Sequence, residues 1–234
     1  MKMHTPEPNE RRLAARTLID SGCVSVRTDE PFRLPSGWAS PVYMDCRRLI
    51  SYPAARKALL AQGQALLRRA GALDGVDGIA GGESSGIAPA AWLADALDVP
   101  LQYVRKRAAG HRIIEGVVAE NGKVLLVDDM MAVGQSKARF RHALSDAGAR
   151  VDDIFVFFAY DTFPVAAELE ASDVNVYALA TWRDVLAAAR ERGDFSDQAI
   201  AELEGFLQDP VGWSQIHGGL TPGHGARSLN QERT

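Results

Sequence analysis

Two adjacent aspartates, Asp128 and Asp129, follow a run of four apolar residues, Val124 to Val127. Such a run predicts a buried strand, and open α/β sheets bind their ligands at the carboxyl ends of their strands. Two neighbouring carboxylates at that edge can accept hydrogen bonds from the vicinal hydroxyls of a sugar. The alternative interpretation is a plain strand-to-helix connection in which the acids cap a helix.

The segment after the aspartates, residues 130 to 136, predicts a turn that binds phosphate. Gly134 permits a tight turn, and Gln135 and Ser136 stand where the next helix is expected to begin. The first N–H groups of a helix have no partner within the helix, and the helix dipole favours an anion there. We therefore expect Gly134, Gln135 and Ser136 to contact a phosphate group.

A second glycine-rich turn, residues 81 to 86, is predicted between another strand and another helix. Its glycines allow the backbone to approach an anion closely, although βα turns often need glycine for geometry alone. Two such turns on parallel strands open on the same edge of a sheet and could hold two phosphates of one ligand. The candidate ligand-binding residues of this turn are Gly81, Gly82, Ser84 and Ser85.

A basic segment runs from Tyr103 to Arg112 after a short predicted strand. A mobile flap that closes over a polyphosphate has this composition, with Arg105, Lys106 and His111 as candidate contacts. A solvated surface loop is the alternative interpretation of the same charges.

An apolar–polar alternation from Phe32 to Cys46, interrupted by Pro35-Ser36-Gly37, predicts two short strands in a hairpin-like cap. The cap could place backbone groups and the ring of Tyr43 over a flat base. A purely structural cap explains the alternation equally well.

Strand-like and helix-like segments alternate along the chain, which predicts an α/β fold. We expect a mainly parallel, twisted sheet flanked by helices, with a small N-terminal β-containing cap over residues 10–50. A length of 234 residues suits one domain, predicted over residues 1–219, followed by a polar, glycine-rich and disordered tail over residues 220–234. The predicted helices include Ile87 to Leu97, Pro164 to Ala171 and, with Thr181 as its N-cap, Trp182 to Arg192.

Composition excludes several classes of protein. The chain is 47% apolar and 24% charged with a net charge of −4, so no basic face for nucleic acid is indicated. The longest apolar runs, such as Asp153 to Tyr160, are too short to span a bilayer. Residues 1–12 are polar and do not resemble a signal peptide. The two cysteines, Cys23 and Cys46, show no metal-ligand spacing, so we expect a cytoplasmic protein without membrane or nucleic-acid partners.

These segments occur in the order found in the type I phosphoribosyltransferases, and the closest resemblance is to the orotate phosphoribosyltransferase family. That family's Phe-x-Leu-x-Ser-Gly-x-x-Ser-Pro-x-Tyr motif is matched from Phe32 to Tyr43. Its Tyr-Val-Arg-Lys flap motif is matched at residues 103–106, and the Asp-Asp phosphoribosyl motif at residues 127–134. The Asp-Asp motif marks the superfamily, whereas the motif near Phe32 is specific. The resemblance covers about residues 11–219.

The resemblance implies Mg²⁺-dependent transfer of a phosphoribosyl group from phosphoribosyl pyrophosphate (PRPP) to orotate in pyrimidine biosynthesis. Asp128 and Asp129 would hold the ribose hydroxyls, and Mg²⁺ would bind near them mainly through PRPP and water. Residues 81–86 would take pyrophosphate, and Tyr43 with its neighbouring backbone would seat orotate. The resemblance implies a homodimer in which Arg105, Lys106 and His111 reach the partner's site, with Lys106 and His111 catalytic.

The sequence departs from the family pattern at positions that bind phosphate. Ala132, Val133 and Gln135 stand where hydroxyl or acidic residues are common, and Pro35 replaces a lysine found in some members. The flap is short, and Ala109 occupies the place of a lysine. A divergent, weakly active or non-catalytic relative that binds nucleotide or PRPP is therefore the alternative hypothesis, and transfer to another base is a third.

Overall fold

A seven-stranded sheet forms the centre of the computed structural model, which describes residues 1–109 and 112–219. In chain order the strands are β1 (Lys2–His4), β2 (Val24–Val26), β3 (Phe32–Arg33), β4 (Ala39–Ser40), β5 (Val42–Met44), β6 (Gly78–Gly82), β7 (Leu101–Ala109), β8 (Arg112–Glu115), β9 (Val124–Met131), β10 (Asp153–Ala159) and β11 (Asn175–Ala180). The helices are α1 (Pro8–Asp20), α2 (Pro53–Arg69), α3 (Ile87–Leu97), α4 (Gln135–Asp146), α5 (Ala167–Glu170), α6 (Trp182–Arg192), α7 (Asp197–Gln208) and α8 (Pro210–Ile216). A 3₁₀ helix, Cys46–Ser51, follows β5.

The strand order in the large sheet is β1-β11-β10-β9-β6-β7-β8, and every neighbouring pair is parallel except β7 with β8. The predicted α/β class with a mainly parallel sheet is therefore confirmed. Two small antiparallel sheets, β2 with β5 and β3 with β4, form the cap. The carboxyl ends of β6, β7 and β9 lie side by side near the cap, where ligands of such sheets bind.

The central strands are held by apolar side chains that pack on both faces of the sheet. All seven residues of β10 are buried, with Phe155 and Phe157 in one cluster and Val156 in the other. Full burial of a large apolar side chain contributes about 1.5–3 kcal/mol. Trp182, at the start of α6, belongs to the cluster that contains Phe155 and Phe157. Phe140 of α4 belongs to the cluster that contains Val156. This rigid centre positions the loops that follow β6 and β9.

Strand β9 is longer than predicted. It continues through Asp128 and Asp129 to Met131, whereas the sequence predicted an end at Val127. The register pairs Asp128 with Val156 and Met130 with Phe158 of β10. The aspartates are therefore residues within the strand, and the ligand-binding turn begins only after Met131.

Three other predicted elements have different bounds. Gly81 and Gly82 belong to strand β6, not to the turn that follows it. The basic segment, predicted as a mobile flap with a surface loop as the alternative, forms the arms of an antiparallel hairpin, β7 and β8, with an irregular register between Val104 and Ala109. The helix predicted from Pro164 to Ala171 is a single short element, α5.

Several short elements were not predicted, among them β1 and α8. Strand β1 pairs in parallel with β11, with Met3 opposite Val176. Helix α8 packs against the cap, where the Ala39 N–H donates a hydrogen bond to Ser214 Oγ at 2.9 Å. No helix among the described residues has the length and apolar character needed to cross a membrane.

Candidate active site

A cleft of about 360 Å³ lies between the cap and the carboxyl end of β9. The cap, the hairpin, the turn after β9 and the first turn of α4 all contribute to its wall. The lining residues are Leu34, Pro35, Ser36, Tyr43, Met44, Lys106, Met130, Ala132, Val133, Gly134, Gln135, Ser136, Lys137, Arg139 and Tyr160. Five predicted site residues are thus brought together in one cavity: Tyr43, Lys106, Gly134, Gln135 and Ser136.

The turn after β9 presents free backbone amides to the cleft. Gly134 adopts φ 82°, a left-handed conformation that glycine reaches without steric cost, and it begins α4. Within the described part of the chain, none of the N–H groups of residues 133–137 donates a hydrogen bond. Such amides, together with the helix dipole, stabilise a bound anion. The prediction that this turn can receive a phosphate therefore has a structural basis.

Asp128 is buried in an ion pair, contrary to the expectation that it faces the ligand. Its side chain is 5% exposed, and its Oδ2 atom lies 2.6 Å from Nζ of Lys137, whose side chain is 6% exposed. Asp128 Oδ1 accepts hydrogen bonds from the Ser85 hydroxyl at 3.0 Å and from the Asp129 N–H at 2.9 Å. Both oxygens are therefore engaged within the chain, because α4 folds its first turn back over the strand.

Asp129 is also buried, at 7% exposure, but it forms no ion pair among residues 1–109 and 112–219. Its Oδ1 atom accepts a hydrogen bond from the Met130 N–H at 2.8 Å. Burial and, after it, the neighbouring charge of Asp128 raise the pKa of Asp129, Lys137 lowers it, and the net value is about 7. Of the two acids, Asp129 is the one without a cationic partner among the described residues.

The glycines at the end of β6 are required by close packing. A Cβ atom on Gly82 would lie 2.3 Å from the Phe140 ring, and one on Gly81 would lie 2.7 Å from the Gly86 carbonyl oxygen. These two glycines therefore allow the end of β6 to approach α3 and α4 closely, so their expected contact with an anion has no support in the geometry. Ser84 is exposed at the tip of the turn, and Ser85 donates to Asp128.

The hairpin places one of its predicted cations in the cleft. Lys106 lines the cleft, and its N–H donates to Glu83 Oε2 at 2.7 Å, which ties the hairpin to the turn after β6. Arg105 instead pairs with Glu115 of β8 at 2.9 Å, and this hydrogen bond raises the pKa of Arg105. Arg105 is thus held within the hairpin and does not line the cleft. His111 lies outside the described residues, as does the predicted tail 220–234.

The cap supplies the wall opposite the phosphate turn. The Tyr43 hydroxyl accepts a hydrogen bond from Arg47 at 3.1 Å, and the Tyr43 ring packs on Phe32 at 5.5 Å between centroids. The buried Tyr160 hydroxyl accepts one from the Met44 N–H at 3.2 Å, which fastens the cap to the end of β10. A flat ring could enter between Tyr43 and the turn.

Sequence reasoning missed Lys137, Tyr160 and Ser36 as parts of the cleft. Lys137 carried one available signal, since a lysine in the first turn of a helix is unfavourable to the helix dipole and calls for an acidic partner. No group of three or more His, Cys, Asp or Glu side chains suited to a metal ion occurs in the ranges 1–109 and 112–219. A direct, all-protein metal centre is thus not formed by these residues.

The chain is similar along most of its length to curated orotate phosphoribosyltransferases. It is 42% identical over 212 residues to that of Sinorhizobium medicae, covering 89% of this chain and 91% of the relative. It is also 42% identical over 210 residues to that of Ruegeria sp., covering 88% and 93%. A scan against protein-family models finds no match.

Solved structures show the same relationship. Leishmania donovani UMP synthase superposes with a TM-score of 0.75 at 28% identity, and the match covers 86% of this chain and 43% of that chain. Orotate phosphoribosyltransferase from Aeropyrum pernix superposes with a TM-score of 0.62 at 28% identity, covering 78% and 99%. The fold is therefore shared with these proteins.

Proposed function

Because the chain belongs to the orotate phosphoribosyltransferase family, we propose that it transfers the phosphoribosyl group of PRPP to orotate, releasing pyrophosphate and orotidine 5′-phosphate. The observation that carries this proposal is the single cleft in which the cap motif, Lys106 and the free amides of residues 133–137 converge. The turn amides, with Gln135 and Ser136, would hold the 5′-phosphate. Orotate would lie against Tyr43.

The remaining roles follow from the charges around the cleft. Asp129 would accept hydrogen bonds from the ribose hydroxyls, since it has no cationic partner of its own among the described residues. Lys106 would stabilise the charge that develops on pyrophosphate as the sugar takes on oxocarbenium character. Ser84 is exposed and follows Glu83, which accepts the hydrogen bond from the Lys106 N–H. Ser84 would therefore also contact pyrophosphate. His111 stays a proposed contact on sequence grounds alone.

Mg²⁺ is proposed as the cofactor. The carboxylate of Asp129, unpaired with a cation in the described ranges, fits a hard ion that keeps water and substrate oxygens in its shell. When bound, Mg²⁺ would neutralise negative charge on pyrophosphate. The protein's contribution is to hold Asp129 and the two turns around that charge.

The central experiment is the disappearance of orotate absorbance when the purified protein is mixed with orotate, PRPP and Mg²⁺. We expect consumption of orotate, and its dependence on Mg²⁺ is measured by titrating the ion. Uracil, hypoxanthine and adenine are tested as competing bases. Unchanged orotate absorbance at high protein concentration would refute the proposed activity.

A non-catalytic relative that binds PRPP is the second candidate function. One observation favours it: Asp128 is neutralised inside the chain by Lys137, so only one of the two motif acids is available to the sugar. Calorimetry distinguishes the two functions. PRPP binding without any turnover supports this candidate, whereas binding with turnover excludes it.

We also propose a cytoplasmic homodimer in which the β7–β8 hairpin, whose Lys106 lines the cleft of its own chain in the monomer, exchanges between subunits and reaches the partner's cleft. Two buried free thiols, Cys23 and Cys46, suit a reducing compartment. The exposed Ile113 and Val117 of the hairpin region suit an interface.

Mixing two inactive variants tests the exchange of hairpins between subunits. After equal amounts of Lys106→Ala and Asp129→Asn are mixed and allowed to re-associate, roughly a quarter of the wild-type activity should return, because half of the dimers would contain one intact site. Activity that stays at the level of the separate variants would show that Lys106 serves its own subunit.

A further inference from the structure

Lys137 is a buried cation that the proposed chemistry has not yet used. It lies in the first turn of α4, it lines the cleft, and only 6% of its side chain is exposed. A buried ammonium group is costly unless it is paired, and its partner is Asp128 at 2.6 Å. Among residues 1–109 and 112–219 this is the one polar contact of the Lys137 ammonium, and it fixes the position of the side chain.

The same contact joins three segments of the site. Asp128 belongs to β9, Lys137 to α4, and Ser85 to the turn after β6. The Ser85 hydroxyl donates to one carboxylate oxygen of Asp128 while Lys137 occupies the other. Asp128 thus connects the turn proposed for pyrophosphate to the turn proposed for the 5′-phosphate.

The charges around the pair leave no substitute for Lys137 among the described residues. Arg47 lies on the cap side of Asp129, but it is exposed and paired with Asp45 at 2.6 Å. Cys46 and Cys23, also on that side, are buried thiols whose pKa values are raised by burial, so they carry no charge. Lys137 is the buried cation that pairs with Asp128, next to the second carboxylate, Asp129.

We propose that Lys137 is a positioning residue for phosphoribosyl transfer, which acts by holding Asp128 as a brace between the two anion-binding turns. This inference rests on the proposed function and assigns different roles to Asp128 and Asp129. Asp128 maintains the separation of the turns, and Asp129 serves the ligand. Without Lys137, Asp128 is a buried carboxylate with no cationic partner beside another carboxylate, so its side chain is no longer held in place and its hydrogen bond from Ser85 weakens.

The experiment compares Lys137→Met with the charge-preserving Lys137→Arg and with a matched control, Lys123→Met. Lys123 is a second largely buried lysine, with 13% of its side chain exposed, and it lies 3.5 Å from Asp153. Its Nζ also donates to the carbonyl oxygens of Ala72 and Asp74, and it lines no part of the cleft. Lys123→Met therefore reproduces the general cost of losing a buried ammonium.

We expect Lys137→Met to raise the KM and the dissociation constant for PRPP by about 10- to 100-fold, as for loss of a charge-assisted hydrogen bond. The KM for orotate should change by less than about twofold, because the cap wall is untouched, and Lys137→Arg should recover most of the PRPP affinity. Lys123→Met should lower the melting temperature and leave both KM values near wild type. Adding Asp128→Asn to Lys137→Met should cost little more, since the pair acts as one unit.

Two results would overturn the inference. One is a Lys137→Met protein that binds PRPP as tightly as wild type, and the other is a loss that is matched by Lys123→Met. A wild-type protein that neither binds PRPP nor consumes orotate would instead refute the proposed function itself, and the inference about Lys137 with it.

Discussion

Replacing Asp129 with asparagine is expected to stabilise the protein at about pH 8 and to have little effect at about pH 4. The carboxylate is 7% exposed and lies next to Asp128, so its charged form is disfavoured in the folded state. Asparagine has nearly the same shape, and its amide oxygen can still accept the Met130 N–H that Asp129 Oδ1 accepts at 2.8 Å. The substitution therefore removes the charge and keeps the local geometry.

The magnitude follows from the pKa of Asp129. It rises from the ordinary value of 3.8 to about 7 in the folded protein. Below about pH 4 the group is protonated in both states, and as the pH rises towards about 7 the unfolded chain releases its proton first, so stability falls. Each pH unit of that interval corresponds to about 1.4 kcal/mol, so the charge costs on the order of 4 kcal/mol above about pH 7. We expect the Asp129→Asn substitution to recover about 2–4 kcal/mol of this free energy. The gain is not complete, because the new amide N–H₂ group needs a hydrogen-bond acceptor of its own.

Urea unfolding between about pH 4 and about pH 8 measures the effect, with Asp173→Asn as the control. Asp173 is exposed and makes no side-chain hydrogen bond or ion pair within the described ranges, so its substitution should give parallel curves. The Asp129→Asn curve should diverge from wild type as the pH rises through the interval. A constant gain at every pH, or no gain at about pH 8, would refute the assignment of a raised pKa to this carboxyl. The same variant should lose catalytic turnover. Asp129 would then be a residue that the activity requires although its charge destabilises the folded protein.

Three further predictions concern packing and the cleft wall. Gly63→Ala should destabilise the protein by about 1–3 kcal/mol in urea unfolding, because its Cβ would lie 2.3 Å from the buried Phe155 ring. Gly205→Ala, in an exposed part of α7 with no atom within 4 Å of the new Cβ, should stabilise it by about 0.5–1 kcal/mol, and equal effects from the two glycines would contradict the packing described. Ser214→Ala removes the acceptor of the buried Ala39 N–H and should cost about 1–3 kcal/mol in stability. It should also raise the KM for orotate more than the KM for PRPP, and an unchanged KM for orotate would show that α8 does not hold the cap wall.

Much of the architecture could be predicted because local signals agreed with the tertiary structure. Helix α6 has the predicted bounds, since Thr181 and Asp184 form a capping box at its start and Gly193 ends it with φ 69°. Helix α3 also has the predicted bounds. The alternation of buried strands with amphipathic helices was sufficient to predict the α/β class.

The bounds of β9 could not be predicted, because aspartate is uncommon inside strands and ordinarily marks their ends. Asp128 and Asp129 remain in the ladder because tertiary contacts neutralise or protonate them: Lys137 pairs with one, and burial raises the pKa of the other. The contact of Lys137 with Asp128 depends on α4 folding back over the strand. The order of residue types along the sequence gives no information about that contact between α4 and β9.

The missed elements have the same explanation. Strand β1 is three residues long, and helix α8 is seven. Neither carries a clear period, and each exists because it docks on an element distant in the sequence: β1 on β11, and α8 on β4. The hairpin β7–β8 was likewise hidden, because its charges favour a solvated loop and only the antiparallel register shows its strands.

The bond between Ala39 and Ser214 has a consequence for the order in which the protein is completed during synthesis. When the ribosome has released only the first 208 residues or so, every strand of the large sheet can already be in place. The β3–β4 hairpin, which forms part of the cleft wall, still lacks the hydrogen bond from Ala39 to Ser214, because Ser214 lies in α8. Substrate binding can therefore stabilise the nascent chain only after α8 has been synthesised, when the strands of the sheet have already folded without it.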